Sequence, residues 1–143
     1  MKTTLFCLIL SIFSTHTFAT TSTTTHSTTF KKMRSGLQYH LHNSNTEQKT
    51  PKAKKAQTVK IHYEGKLDNG TIFDSSIAKD EPVILKTTHL IKGLQEGIKL
   101  MKVGQKATFI IPADLAYGSL GSGSAIPANS PVIFNIELLE IID

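Results

Sequence analysis

The chain has 143 residues, 39% of them hydrophobic, with a formal net charge of +5 and one cysteine, Cys7. That length supports one domain with its own apolar core and is too short for two. A single thiol excludes an intrachain disulfide and a cysteine-based zinc site, so ordinary apolar packing must hold the core.

The chain opens on Met1 and Lys2, followed by an apolar stretch, Leu5–Phe13 (LFCLILSIF), broken only by Ser11. Small Thr17 and Ala19 sit where a signal peptidase reads the −3 and −1 positions. The run is too short to span a bilayer. Residues 1–19 are therefore expected to be a cleaved secretory signal, Cys7 lost with it, leaving a soluble chain. Residues 20–34 are expected to be a disordered spacer, because seven of the ten residues Thr20–Thr29 are Thr and none is strongly apolar. The charge is uneven. Thr20–Gln57 holds seven Lys/Arg against one acid, Glu47, whereas Thr58–Asp143 holds eight against ten. A basic leader before a slightly acidic domain argues against a nucleic-acid partner. Lys49, Lys52, Lys54 and Lys55 read as a solvated linker or a weak contact with an anionic surface.

In Ser35–His42, Leu37, Tyr39 and Leu41 alternate with Gln38, His40 and His42, which predicts a half-buried strand. Asn43–Gln57 reads as loop. Val59, Ile61, Tyr63 and Leu67 then alternate with Lys60, His62, Glu64 and Lys66. The turn Asp68-Asn69-Gly70 follows, and Thr71–Ser75 returns as the second strand of a hairpin. Pro82–Lys86 is a further short strand. Leu90, Leu94, Ile98 and Met101 recur at helical spacing over Ile91–Met101, where Gly93 and Gly97 weaken the helix and admit a strand or ligand closely. Lys106–Ile111 and Val132–Ile142 alternate as strands around a Gly/Ser/Ala-rich loop, Pro112–Pro131. The expectation is an α+β fold: an antiparallel sheet of five or six strands with one short helix on a face.

Phosphate-loop, dinucleotide-binding, zincin and nucleophile-elbow motifs are all missing. Gly118, Gly121 and Gly123 open no helix. His40 and His42 share a strand face but lack a third metal ligand. His62 lies on a wet face, and His89 has no evident nucleophile beside it. No metal or cofactor is expected. What stands out is a set of aromatics on different strands and loops, Tyr63, Phe73, Tyr117 and Phe134, with Asp74 directly after Phe73. They fit a core equally well, less so Tyr63 and Tyr117, whose phenols need partners when buried.

The segments VKIHYEGKLDNGTIFDSS, LIKGLQEGIKLMKVGQKATFIIPADLAYG, AIP and VIFNIELLEI, in that order and spacing, resemble an FKBP-type peptidyl-prolyl cis–trans isomerase domain. Ser35–Tyr39 is similar to the strand that opens such domains in secreted bacterial members, including the macrophage infectivity potentiator group. The resemblance covers residues 35–143 and implies a sheet wrapped around a short helix, with ligand held between them. It implies catalytic positions at Asp74, Tyr117, Tyr63, Phe73, Ile91 and Phe134, and substrate-binding positions at Val83, Leu90, Leu94, Ala125 and Ile126. The Ile91 N–H and the Tyr117 hydroxyl become the donors to substrate. Asp74 has two open roles, orienting a wall residue or meeting the twisted carbonyl. The floor is Leu94 where the family often has Trp, and Val83 and Ala125 are also smaller than usual, which implies weak binding of FK506-type macrolides. The implied partners are proline-containing polypeptides, the implied compartment the periplasm (alternatively the medium or outer membrane), and the implied state a monomer. A second reading keeps the pocket as a chaperone-like or host-interaction module with little turnover.

Overall fold

The computed structural model describes residues 28–42 and 51–142. The expected signal, the Thr-rich run as far as residue 27, Lys49 and most of the polar stretch after His42 lie outside the described residues. Seven strands form one sheet: β1 (Lys31–Lys32), β2 (Gln38–Leu41), β3 (Thr58–Leu67), β4 (Ile72–Ser75), β5 (Val83–Lys86), β6 (Lys106–Ile111) and β7 (Val132–Ile141). The one α-helix is α1 (Lys92–Gly97). The sheet order is β1-β2-β6-β7-β3-β4, with β5 also on β3, and every pairing is antiparallel. The α+β architecture is the expected one.

The strand count exceeds the expected five or six because of β1. Its two lysines are exposed and pair through the backbone, Lys31 opposite Tyr39 and Lys32 opposite Gln38. No apolar alternation marks such a strand. Regular structure therefore begins before Ser35, within the stretch read as spacer.

Alternation on the long strands builds the core. Val59 and Ile61 of β3, Ala107, Phe109 and Ile111 of β6, and Val132, Phe134, Ile136 and Leu138 of β7 are buried on one face. Leu94, Ile98 and Met101 pack on that face from the helical side. The helix is shorter than its pattern: six residues of α1, then a 3-10 turn over Ile98–Leu100. No side chain caps Ile91, and each glycine costs a helix about 1 kcal/mol relative to Ala. Both glycines face β6. A Cβ on Gly97 would lie 2.5 Å from the Phe109 ring, and one on Gly93 would overlap the Ile111 side chain. The close neighbour of this helix is thus a strand.

Residues 51–57 are not a free loop. Ala53 is buried and donates its N–H to Met101 O, Val103 N–H donates to Pro51 O, and Thr87 N–H donates to Gln57 O. The long loop after β6 is also built. It contains 3-10 turns at Ala113–Leu115 and Gly118–Leu120, and a closed turn in which Ser122 and Ile126 exchange backbone hydrogen bonds of 2.9 and 3.1 Å. Among the described residues, no helix is long and apolar enough to cross a membrane.

Candidate active site

On β3, Gly65 pairs with Asp74 of β4 on one side and Phe134 of β7 on the other. A Cβ there would lie 2.7 Å from the Phe73 ring and 2.8 Å from that of Phe134. Without it, the two rings meet edge to face, centroids 5.6 Å apart at 76°. Tyr117 stands edge-on to Phe73 at 6.3 Å, and Tyr63 tilts against Phe134 at 6.3 Å. These aromatics are not a sealed core. They wall a cavity of about 400 Å³ between sheet and helix.

All eleven sequence-derived positions line that cavity. Tyr63 comes from β3, Phe73 and Asp74 from β4, Val83 from β5, and Phe134 from β7. Leu90 and Ile91 enter at the start of α1, whose Leu94 lies 4% exposed beneath them. Tyr117 and the closed turn carrying Ala125 and Ile126 complete the wall. Sequence reasoning omitted Ile61, Leu85 and Ile136, which share the inward face of β3, β5 and β7, and Ser122, which the closed turn brings in. For the three aliphatics the alternation signal was present, but it reads equally as core. His89 also lines the cavity, with no nucleophile bonded to it.

The polar groups are few and differently engaged. The Tyr63 hydroxyl donates to Asp74 Oδ2 at 2.5 Å. Asp74 Oδ1 lies 3.6 Å from Lys79 Nζ. Burial, then the hydrogen bond and negative charge of Asp74, push the Tyr63 phenol up to about 12. Burial and the same carboxylate also raise the Tyr117 phenol. Both remain donors at neutral pH. Among the described residues neither the Tyr117 hydroxyl nor the Ile91 N–H has a hydrogen-bond partner. The Gln95 side-chain amide donates to Leu90 O at 2.8 Å and to Thr88 O at 3.2 Å, fixing the backbone that presents Ile91.

The other histidines lie elsewhere. His42 is bonded to Thr108 Oγ1 and His62 to Ser76 Oγ. Burial, then His40 and Lys106, lower the His42 pKa. Among the described residues no three His, Cys, Asp or Glu side chains could hold a metal ion.

Among the described residues the site is an aromatic-walled cleft with two donors at its wall that have no hydrogen-bond partner. The family model for FKBP-type peptidyl-prolyl cis-trans isomerases matches residues 49–139, and the chain belongs to that family. It is 42% identical over 111 residues to a probable FKBP-type peptidyl-prolyl cis-trans isomerase of Haemophilus influenzae, covering 78% of this chain and 45% of the relative. It is 46% identical over 97 residues to FK506-binding protein 2 of Yarrowia lipolytica, covering 66% and 67%. Its structure resembles that of FkpA from Escherichia coli, with TM-score 0.72, 35% identity, and coverage of 78% of this chain and 51% of that one. The chain thus spans about half the length of these bacterial relatives.

Proposed function

We propose that this chain is a peptidyl-prolyl cis–trans isomerase acting on proline-containing segments of exported polypeptides. The observation that carries the reading is the pair of unpartnered donors, Tyr117 Oη and Ile91 N–H, at the wall of an aromatic cavity. Rotation about an X-Pro bond meets a barrier of about 18–20 kcal/mol, because the amide loses resonance when twisted. The planar amide is the more polar form and the better hydrated one. Removing water with Tyr63, Phe73 and Phe134 disfavours it relative to the twisted form. Stronger binding of the twisted amide is what lowers the barrier. The two free donors hold the substrate backbone while the bond turns. The 2.5 Å bond from Tyr63 supports the orienting role for Asp74: the carboxylate fixes a wall ring. No bond is made or broken, so no cofactor enters the reaction.

The N-terminal signal pattern supports export, and the periplasm is the compartment proposed. The proposed state is a monomer. Leu94, Val83 and Ala125 leave the pocket short of apolar surface, so macrolides of the FK506 type are expected to bind weakly. The same three residues favour the second reading, a module that captures chains with little turnover.

The test is isomerisation of an X-Pro peptide and of a protein whose refolding waits on proline. Asp74→Ala, Tyr63→Phe and the double variant are the controls. Acceleration is expected, falling roughly tenfold in each single variant, a change of about 1.4 kcal/mol. If the two side chains act as a unit, the double variant loses little more. A folded chain that accelerates neither substrate, yet retains unfolded clients, supports the second reading instead.

A further inference from the structure

Three of the lysines read as linker or weak anionic contact, Lys52, Lys54 and Lys55, stand on a built surface. Residues 51–57 are tied to Met101, Val103 and Thr87 by backbone hydrogen bonds, with Ala53 as a buried anchor. That docking sets Lys52 directly opposite Lys102 in an antiparallel bridge. It also brings Lys55 to a groove of about 400 Å³ shared with Lys92 and Lys99. Lys54, between Lys52 and Lys55 in sequence, is exposed. Glu96 is the one acid lining the groove, and among the described residues none of these six lysines makes an ion pair.

Like charges placed directly opposite each other destabilise a strand pair, and Lys52 opposite Lys102 is such a pair. Lys92, Lys99 and Lys102 belong to Thr58–Asp143, which carries more acids than bases, so net charge does not account for their half of the cluster. We propose that this face docks the protein on a bilayer bearing anionic phospholipid headgroups.

The residue types favour that partner. All six cations are lysines, compact charges on flexible stems that suit a diffuse negative surface. Arginine is the residue that grips single carboxylates or phosphates in a fork. None of the large exposed hydrophobics belongs to residues 51–57 or 92–102, whereas a protein interface is centred on apolar or aromatic anchors. No aromatic lies there to stack bases. The helix separates the two functions. Leu94 faces the isomerase cavity, while Lys92 and Lys99 of the same helical stretch line the other groove. Docking therefore leaves the cavity open to clients.

The experiment is partitioning of the full chain onto phosphatidylcholine vesicles with and without phosphatidylglycerol, over a salt series. The residues before Pro51 are the same in every variant, so their contribution cancels when variants are compared. A lysine near an anionic surface contributes about fivefold to partitioning. The triple variant Lys55→Gln/Lys92→Gln/Lys99→Gln should therefore lose the preference for anionic vesicles by about a hundredfold. Its isomerase activity should be unchanged. A second triple variant, Lys60→Gln/Lys66→Gln/Lys106→Gln, removes the same charge elsewhere and should lose far less. The proposal is overturned by no preference for anionic vesicles at low salt, by equal loss in both triple variants, or by tighter binding to poly-glutamate or duplex DNA than to the vesicles.

Discussion

At the scale of single residues, the site turns on one hydrogen bond and one missing methyl group. The bond is Tyr63 to Asp74; the missing group is the Cβ of Gly65, whose space the Phe73 and Phe134 rings occupy. Burial of the Tyr63 phenol and its bond to Asp74 together have a pH signature. A phenol raised from 10 to about 12 in the folded chain favours folding fully below pH 10, its unfolded value. That contribution is lost as pH climbs from 10 towards 12. Ultraviolet titration of phenolate absorbance should therefore end in a late component near pH 12, missing from Tyr63→Phe. A wild-type curve complete by pH 11 would contradict the assignment. The motif residues were legible in the sequence because their order matches a family. The bond between Tyr63 and Asp74 was not, because the two are eleven positions apart, on opposite strands of the β3–β4 hairpin.

At the scale of elements, two forces oppose each other in α1. Glycine costs a helix about 1 kcal/mol against Ala, so Gly93→Ala gains that much locally. It also drives a methyl group into Ile111, and overpacking of this kind costs about 1–3 kcal/mol. Overpacking wins. The variant should melt several degrees lower, since 1 kcal/mol shifts the midpoint of a domain this size by roughly 4–8 °C. An unchanged or higher melting temperature would show that the helix can ride outward freely. The elements differ in how far the sequence disclosed them. β3, β6 and β7 were readable because one face is buried and the other wet. β1 was not, since two lysines held by backbone bonds leave no pattern. Nor was the docking of residues 51–57, where Ala53 is the one buried side chain among polar neighbours. The 3-10 turns after β6 were hidden for a related reason: three-residue turns such as Ala113–Leu115 and Gly118–Leu120 are too short to carry a periodic apolar pattern.

At the scale of the whole molecule, the chain is sewn together by pairings distant in sequence. β3 meets β7, and β2 meets β6. β3 and β7 lie inside the sheet with partners on both sides, whereas β1 ends it on one side and β4 and β5 on the other. Native-state hydrogen exchange should accordingly be slowest for buried amides of β3 and β7, opening only with global unfolding, and faster at β4 and β1. Exchange in β4 as slow as in β3 would contradict this order. The way the sheet ends carries a consequence of its own. An unpaired strand edge is a template for any extended chain that drifts past. A protein that handles unfolded polypeptides meets such chains continually, and a long, apolar edge would retain them as added strands. Among the described residues one border is two residues long, both of them lysine. The opposite one is broken into β4, four residues whose pairing with β3 slips in register after Gly65, and β5, four residues paired with the other end of β3. Each border is too short, too charged or too broken to serve as a splint, so under the proposed function a client would find no edge on which to stay as an added strand.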